Sequence, residues 1–318
     1  HLTLYKRESK LNKKITSIIL ATLFSANMAN ADLVNDTENF KFLTKYGKGN
    51  WFELKNQEDL VDLSNIDCKF TSSGKSTSCK LWLSPTYNFP KDGVAVSTDY
   101  VRSGKVALKF KNGIGDCGEH SNGLSDCDTH RERSEFSMLS WENKEKWFKF
   151  SIFIPKISVF PKGAKNSLWQ IHSRTGPVNF KVEINDEGDL VWNDHIINER
   201  MFMLSKYKLK GQWNDFVVYM DFDESNKDNK IKIWANGDLV VDYKGKTHNE
   251  KSKKVYMKVG IYKSHLNRAN KDDMGTSIAY YDAIAIGDVC KELSLENEGN
   301  SCSKLGKVKV EPNSIWNW

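Results

Sequence analysis

Short runs of β-branched and aromatic residues, several alternating apolar with polar side chains, recur at 106–111, 147–154, 168–172, 179–184, 189–192, 215–222 and 254–262. A period of two marks strands with one buried face, and runs this close together without a βαβ rhythm argue against a parallel layout. Between 231 and 243, Ile-Lys-Ile-Trp-Ala is separated from Asp-Leu-Val-Val-Asp-Tyr by Asn236-Gly237, a pair suited to the positive φ values of a two-residue hairpin turn. Asn185 to Asp189 reads as a second, longer hairpin loop. Helical periodicity is weak outside 15–24 and 56–63. The pattern therefore predicts an all-β chain whose two antiparallel sheets pack face to face as a sandwich or jelly roll.

In such a sandwich one sheet is expected to curve, its concave face forming a groove for an extended ligand. Alternation selects the side chains that would line it. Along 168–173, Gln170 and His172 share one face and Trp169 and Ile171 the other; along 256–263, Tyr256, Lys258, Gly260 and Tyr262 oppose Met257, Val259 and Ile261. Arg131 and Arg133 share a face in the same way if that segment is extended. Gly260 is expected to leave room for something to approach the sheet.

Lys13 and Lys14 precede the apolar run Ile15 to Phe24, and Ala29-Asn30-Ala31 has the small-x-small pattern of a leader cleaved before Asp32. The run is shorter than the roughly 20 residues needed to span a bilayer. Residues 1–31 are thus expected to be a signal peptide and 32–318 a single jelly-roll domain, secreted or periplasmic, monomeric, and free of the membrane after cleavage. Most of the +6 net charge belongs to the leader: without Lys6, Arg7, Lys10, Lys13, Lys14 and Glu8, 47 − 5 = 42 basic and 41 − 1 = 40 acidic residues leave +2. Global basicity therefore gives no reason to invoke nucleic acid, and an anionic partner must be recognised locally. The six cysteines fall into local pairs, Cys68/Cys79, Cys117/Cys127 and Cys290/Cys302. Spacing leaves other pairings open, but three short staples is the simplest arrangement for an exported chain, and no C-x-x-C or H-x-x-x-H spacing suggests zinc.

Three ordered segments carry a resemblance. Arg133-Ser134-Glu135, Gln170-Ile171-His172 and Tyr256-Met-Lys-Val-Gly-Ile-Tyr262 are similar to the R-[ST]-E, Q-[IV]-H and Y-F-K-x-G-x-Y motifs of the jelly-roll alginate lyases. Ile-Trp-Ala-Asn-Gly at 233–237 and Gly-Ile-Tyr-Lys at 260–263 resemble more closely the related heparin lyase I and glucuronan lyase group. The resemblance spans roughly 95–290 and implies a concanavalin-like jelly roll with catalysis in the concave-sheet groove.

It also implies β-elimination on an anionic, uronate-containing polysaccharide. The C5 proton of a uronate is not acidic beside an ionised carboxylate, so the site must neutralise that charge as the enolate-like intermediate forms. Arg133 and Gln170 are the expected clamp and His172 and Tyr262 the base and acid pair: for one epimer of the uronate His172 takes the C5 proton and Tyr262 serves O4, for the other Tyr262 does both while His172 orients or deprotonates it. Tyr262 would be the base only if a neighbouring cation such as Lys258 or Arg133 lowered its pKa. Lys258, Arg131, Glu135, Tyr256 and Lys263 are expected to contact substrate, with Arg131 able to replace Arg133 as clamp. His130, His195 and His265 read as surface or subsite residues.

No cofactor is required by this chemistry. A structural calcium occurs in some relatives, although no D-x-[DN]-x-[DN]-G loop marks one here. Two other functions fit the scaffold. A lectin-like binding module would use the groove without needing Gln170, His172 and Tyr262 together. A glycoside hydrolase would need paired carboxylates, for which Glu183-Ile-Asn-Asp-Glu187 is the nearest match.

Overall fold

The computed structural model describes residues 81–305 apart from 85–89, 91, 104–106, 120–122, 139–140, 143–144, 174–177, 224–227 and 248–253. The leader, the segment 56–63 and the Cys68/Cys79 pair lie outside the described residues. In chain order the strands are β1 (Leu81–Ser84), β2 (Val94–Ser97), β3 (Ala107–Asn112), β4 (Arg131–Met138), β5 (Trp141–Glu142), β6 (Lys146–Phe153), β7 (Lys165–Ser173) and β8 (Val178–Ile184). There follow β9 (Leu190–Asp194), β10 (Glu199–Leu204), β11 (Trp213–Met220), β12 (Asn229–Ala235), β13 (Asp238–Gly245), β14 (Lys254–Ser264) and β15 (Ser277–Gly287), with a short α-helical turn, α1 (Lys206–Leu209), and several 3-10 turns in the connections.

They form two antiparallel sheets, a jelly roll of the expected kind. The first runs β1-β4-β14-β7-β8-β9-β10, with β5 also on β14, and the second runs β13-β12-β11-β6-β15-β3-β2. Their inner faces interdigitate: Phe150 of β6 stacks on Trp169 of β7 at 5.4 Å between ring centroids, and Phe148 meets the same indole edge-on at 5.8 Å. Phe110 of β3 packs edge-on against Phe136 of β4. Burial of these large rings away from water is the main force holding the sheets together. Both expected hairpins are present. Asn236 and Gly237 take φ of 52° and 90° between β12 and β13, and Asn185 to Asp189 joins β8 to β9.

The outer face of the second sheet is also covered. Leu293, Leu295 and Leu305, on a tail closed by the Cys290–Cys302 disulfide, pack with Trp147, Trp234 and Ala285. Farther along, Tyr100 stacks on Phe153 at 4.1 Å, and Arg102 pairs with Asp215 at 2.8 Å. Strand β15 is consequently buried on both sides, which hides it from any search for alternation.

One contact joins the two layers beneath the first sheet. The Tyr281 hydroxyl of β15 lies 2.6 Å from the Leu168 carbonyl and 2.9 Å from the Gly260 carbonyl, where the β7–β14 register shifts. Gly260 has φ of 129°; a Cβ there would meet the Ser134 carbonyl and come within 2.8 Å of the Glu135 Cα. Glycine is therefore required by the bulged backbone itself, not by a ligand approaching the sheet.

Candidate active site

Register dictates which side chains share the face of the first sheet turned away from the core. Tyr262 pairs with Arg133 on one side and Ser167 on the other; Ser167 pairs with Glu183, Glu183 with Val191, and Val191 with Phe202. A parallel row runs Lys258, Gln170, Lys181, Asn193, Arg200, and His172 sits opposite Tyr256 beyond it. Several of these polar groups are nearly inaccessible although they face away from the core: Arg133 is 7% exposed, Lys258 6% and Gln170 3%. The face is therefore recessed at this point, while His172 and Tyr262 remain partly exposed.

Within the recess charge is answered by charge. Glu135 accepts from the Lys258 ammonium at 2.8 Å and from the Gln170 amide, and Arg133 Nη1 lies 4.0 Å from it. The other side of the Arg133 guanidinium is committed to Asp126, with contacts of 2.7 Å from both Nε and Nη2. Asp126 is fully buried and lies beside Cys127, whose disulfide to Cys117 closes the loop. On the far side, Glu183 accepts from Asn193 at 2.6 Å and Ser167 at 3.0 Å and lies 3.6 Å from Lys181. The Tyr262 ring links the halves, with the Arg133 guanidinium 4.4 Å from its centroid and the Lys181 ammonium 5.2 Å. These are cation–π contacts in a poorly solvated place.

Protonation follows from burial. Desolvation pulls the His172 pKa down to about 4; the Ser173 carbonyl contact opposes it, Lys258 adds to it, Glu135 opposes it and Lys181 adds to it. The Nδ1 lies 2.8 Å from the Ser173 carbonyl, which can only accept, so neutral His172 keeps its proton on Nδ1 and its lone pair on Nε2. Its ring stacks on Tyr256 at 5.2 Å. Burial raises the Tyr262 phenol above its ordinary value, with Arg133 and Arg131 opposing the rise and Glu135 adding to it. Lys258 and Lys181 are lowered, again chiefly by burial.

Of the residues singled out from sequence, Arg133, Glu135, Gln170, His172, Tyr256, Lys258 and Tyr262 share this face, and Arg131 lies one alternate position beyond Arg133, opposite Ser264. Lys263 does not belong with them. It is 0% exposed on the opposite face, bound to Glu132 at 2.5 Å and donating to the Asn112 carbonyl at 3.3 Å. As the residue after Tyr262 it must point the other way, so it cannot touch a ligand on the Tyr262 face. Lys181, Asn193 and Asp126 were missed, and Glu183 entered only as half of the nearest hydrolase pair. The alternation of 179–184 already placed Lys181 and Glu183 together on the face opposite Phe180 and Val182, whereas Asp126 is a loop residue with no periodic signal. Glu183 and Glu187, the nearest hydrolase pair, are separated by the chain leaving β8 for its hairpin loop.

Among the described residues no group of three or more His, Cys, Asp or Glu side chains is gathered as metal ligands, and no helix is long and apolar enough to cross a membrane. No curated protein matches the chain in sequence. Among solved structures, the endo-β-1,4-glucuronan lyase of the fungus Trichoderma reesei is similar at 16% identity and a TM-score of 0.46, over 65% of this chain and 93% of that one. Alginate lyase PA1167 of Pseudomonas aeruginosa is similar at 14% identity and a TM-score of 0.44, over 63% and 87%. A glycoside hydrolase family 131 catalytic domain of Coprinopsis cinerea is similar at 13% identity and a TM-score of 0.45, over 64% and 82%. Likenesses this distant include both lyases and a hydrolase and do not choose a chemistry. The sequence itself matches the polysaccharide lyase family over residues 75–285, well over half its length, and the chain belongs to that family.

Proposed function

We propose that this polysaccharide lyase is a secreted enzyme that cleaves a uronate-containing polysaccharide by β-elimination. His172 Nε2 takes the C5 proton, the C4–C5 double bond forms as the C4–O4 bond breaks, and the Tyr262 hydroxyl delivers a proton to the departing O4. The observation that carries the assignment is the pair of protonation states: an imidazole held neutral with Nε2 as its acceptor, and a phenol held protonated.

Along β7, Tyr262 faces Ser167 and Tyr256 faces His172, so five residues at ~3.3 Å each put base and acid about 16 Å apart at their Cα atoms. The sugar would lie between the two side chains, over Gln170 and Lys258. Its carboxylate would meet Arg133 Nη1, the guanidinium corner not held by Asp126, together with the Gln170 amide. Two disulfides among the described residues and the leader-like N-terminal segment support export.

Incubation with glucuronan, alginate and heparin-like glycans, read as the ultraviolet absorbance of an unsaturated product, tests the proposal. Absorbance should rise with at least one polymer for the wild type and not for His172→Ala. Binding or hydrolysis without absorbance would refute it.

A further inference from the structure

We infer that Phe202 and Arg200 on β10 form a distal subsite, in which the Phe202 ring stacks on a pyranose face and Arg200 pairs with a uronate carboxylate about four sugar units from the cleaved bond. The inference rests on the proposed function, since it needs the ligand to be an extended acidic polysaccharide lying across the strands.

Two rows of paired residues connect this place to the catalytic face. One runs from Tyr262 through Ser167, Glu183 and Val191 to Phe202, the other from Lys258 through Gln170, Lys181 and Asn193 to Arg200. Phe202 is 47% exposed, the aromatic ring most open to solvent among the residues of these rows. Packing does not explain it. On the same strand Met203 is buried in the core and Met201 packs against it, so β10 is already anchored through its other face. An exposed phenylalanine on an edge strand is a liability that its position does not require.

Arg200 adds the matching charge. It is exposed, and Lys181 stands two places inward on the same row, so the row offers cations at both positions. From β14 to β10 there are four strand spacings, about 19 Å at ~4.8 Å each. A 1,4-linked pyranose unit in an extended chain advances by about one such spacing, which sets the count of sugar units.

The test compares chain lengths. Oligoglucuronates and oligoalginates of three and seven units are offered to the wild type, Phe202→Ala, Phe202→Tyr and Arg200→Ala, with initial rates read by ultraviolet absorbance and folding checked by thermal unfolding. A trimer spanning the cleaved bond cannot reach β10. Phe202→Ala and Arg200→Ala should each raise KM for the heptamer about tenfold, with kcat and all trimer kinetics unchanged, and Phe202→Tyr should restore the wild-type KM. Equal effects on trimer and heptamer, or no effect on either, would overturn the subsite while leaving the lyase reading intact. Absence of unsaturated product from every oligomer with the wild type would overturn both.

Discussion

Acidification offers the sharpest test of His172 as the base. Burial leads the forces on its imidazole, Lys258 and Lys181 reinforce it, and the Ser173 carbonyl and Glu135 oppose it, leaving a pKa of about 4 against 6.5 for an unperturbed group. That difference of 2.5 units corresponds to at most about 3 kcal/mol favouring the neutral ring, less whatever its residual solvent contact screens. At pH 5 about nine-tenths of the rings stay neutral, whereas an unperturbed histidine would keep only about 3%. The profile of kcat/KM, which reports the free enzyme, should therefore be nearly flat from pH 7 to 5 and fall with a midpoint near 4. An acid limb centred near 6.5, or a titration of the His172 imidazole by NMR at that value, would refute the reasoning.

Stability is a poorer reporter, and the signs show why. The depressed His172 pKa contributes stability present above pH 6.5 and lost as pH falls towards 4, because the unfolded chain then binds the extra proton. Asp194 and Asp282, both raised by burial to about 6, act in the opposite sense. Their contribution is present below 3.8 and lost as pH rises through 6. The opposing slopes overlap between pH 4 and 6, so a flat unfolding curve there would say nothing about His172.

Two further outcomes follow from the packing. Asp126→Asn removes the buried charge facing Arg133 and should cost about 3 kcal/mol of stability by chemical denaturation and lower kcat; unchanged values of both would show that Arg133 does not depend on it. Gly260→Ala forces a side chain against the Ser134 carbonyl and should cost at least about 3 kcal/mol or prevent folding, whereas wild-type thermal unfolding would mean the bulge relaxes freely.

What the sequence disclosed tracks the range of the forces involved. Alternation is local, so the two faces of β7 and β14, and with them Gln170, His172, Lys258 and Tyr262, were legible from neighbouring residues alone. The Asn236-Gly237 turn was legible for the same reason. Strand β15 was not, because Tyr100 and the tail held by Cys290–Cys302 cover its outer side and remove the polar half of the pattern. The resemblance at 260–263 brings Lys263 in beside Tyr262, but adjacent strand residues face opposite ways, and the strand turns Lys263 towards Glu132. Asp126 reaches Arg133 through the loop closed by Cys117 and Cys127, a tertiary contact that no periodicity encodes.

The hydroxyl of Tyr281 gives the molecule a hidden dependency. It has one proton and faces two carbonyls, one from each of the strands that carry His172 and Tyr262, so a single donor is shared between them. The spacing of those strands is thus set partly from behind, by a residue no sugar can ever touch. Anyone transplanting the catalytic surface onto another scaffold, or recombining halves of two homologues between the layers, would have to carry that phenol along with it.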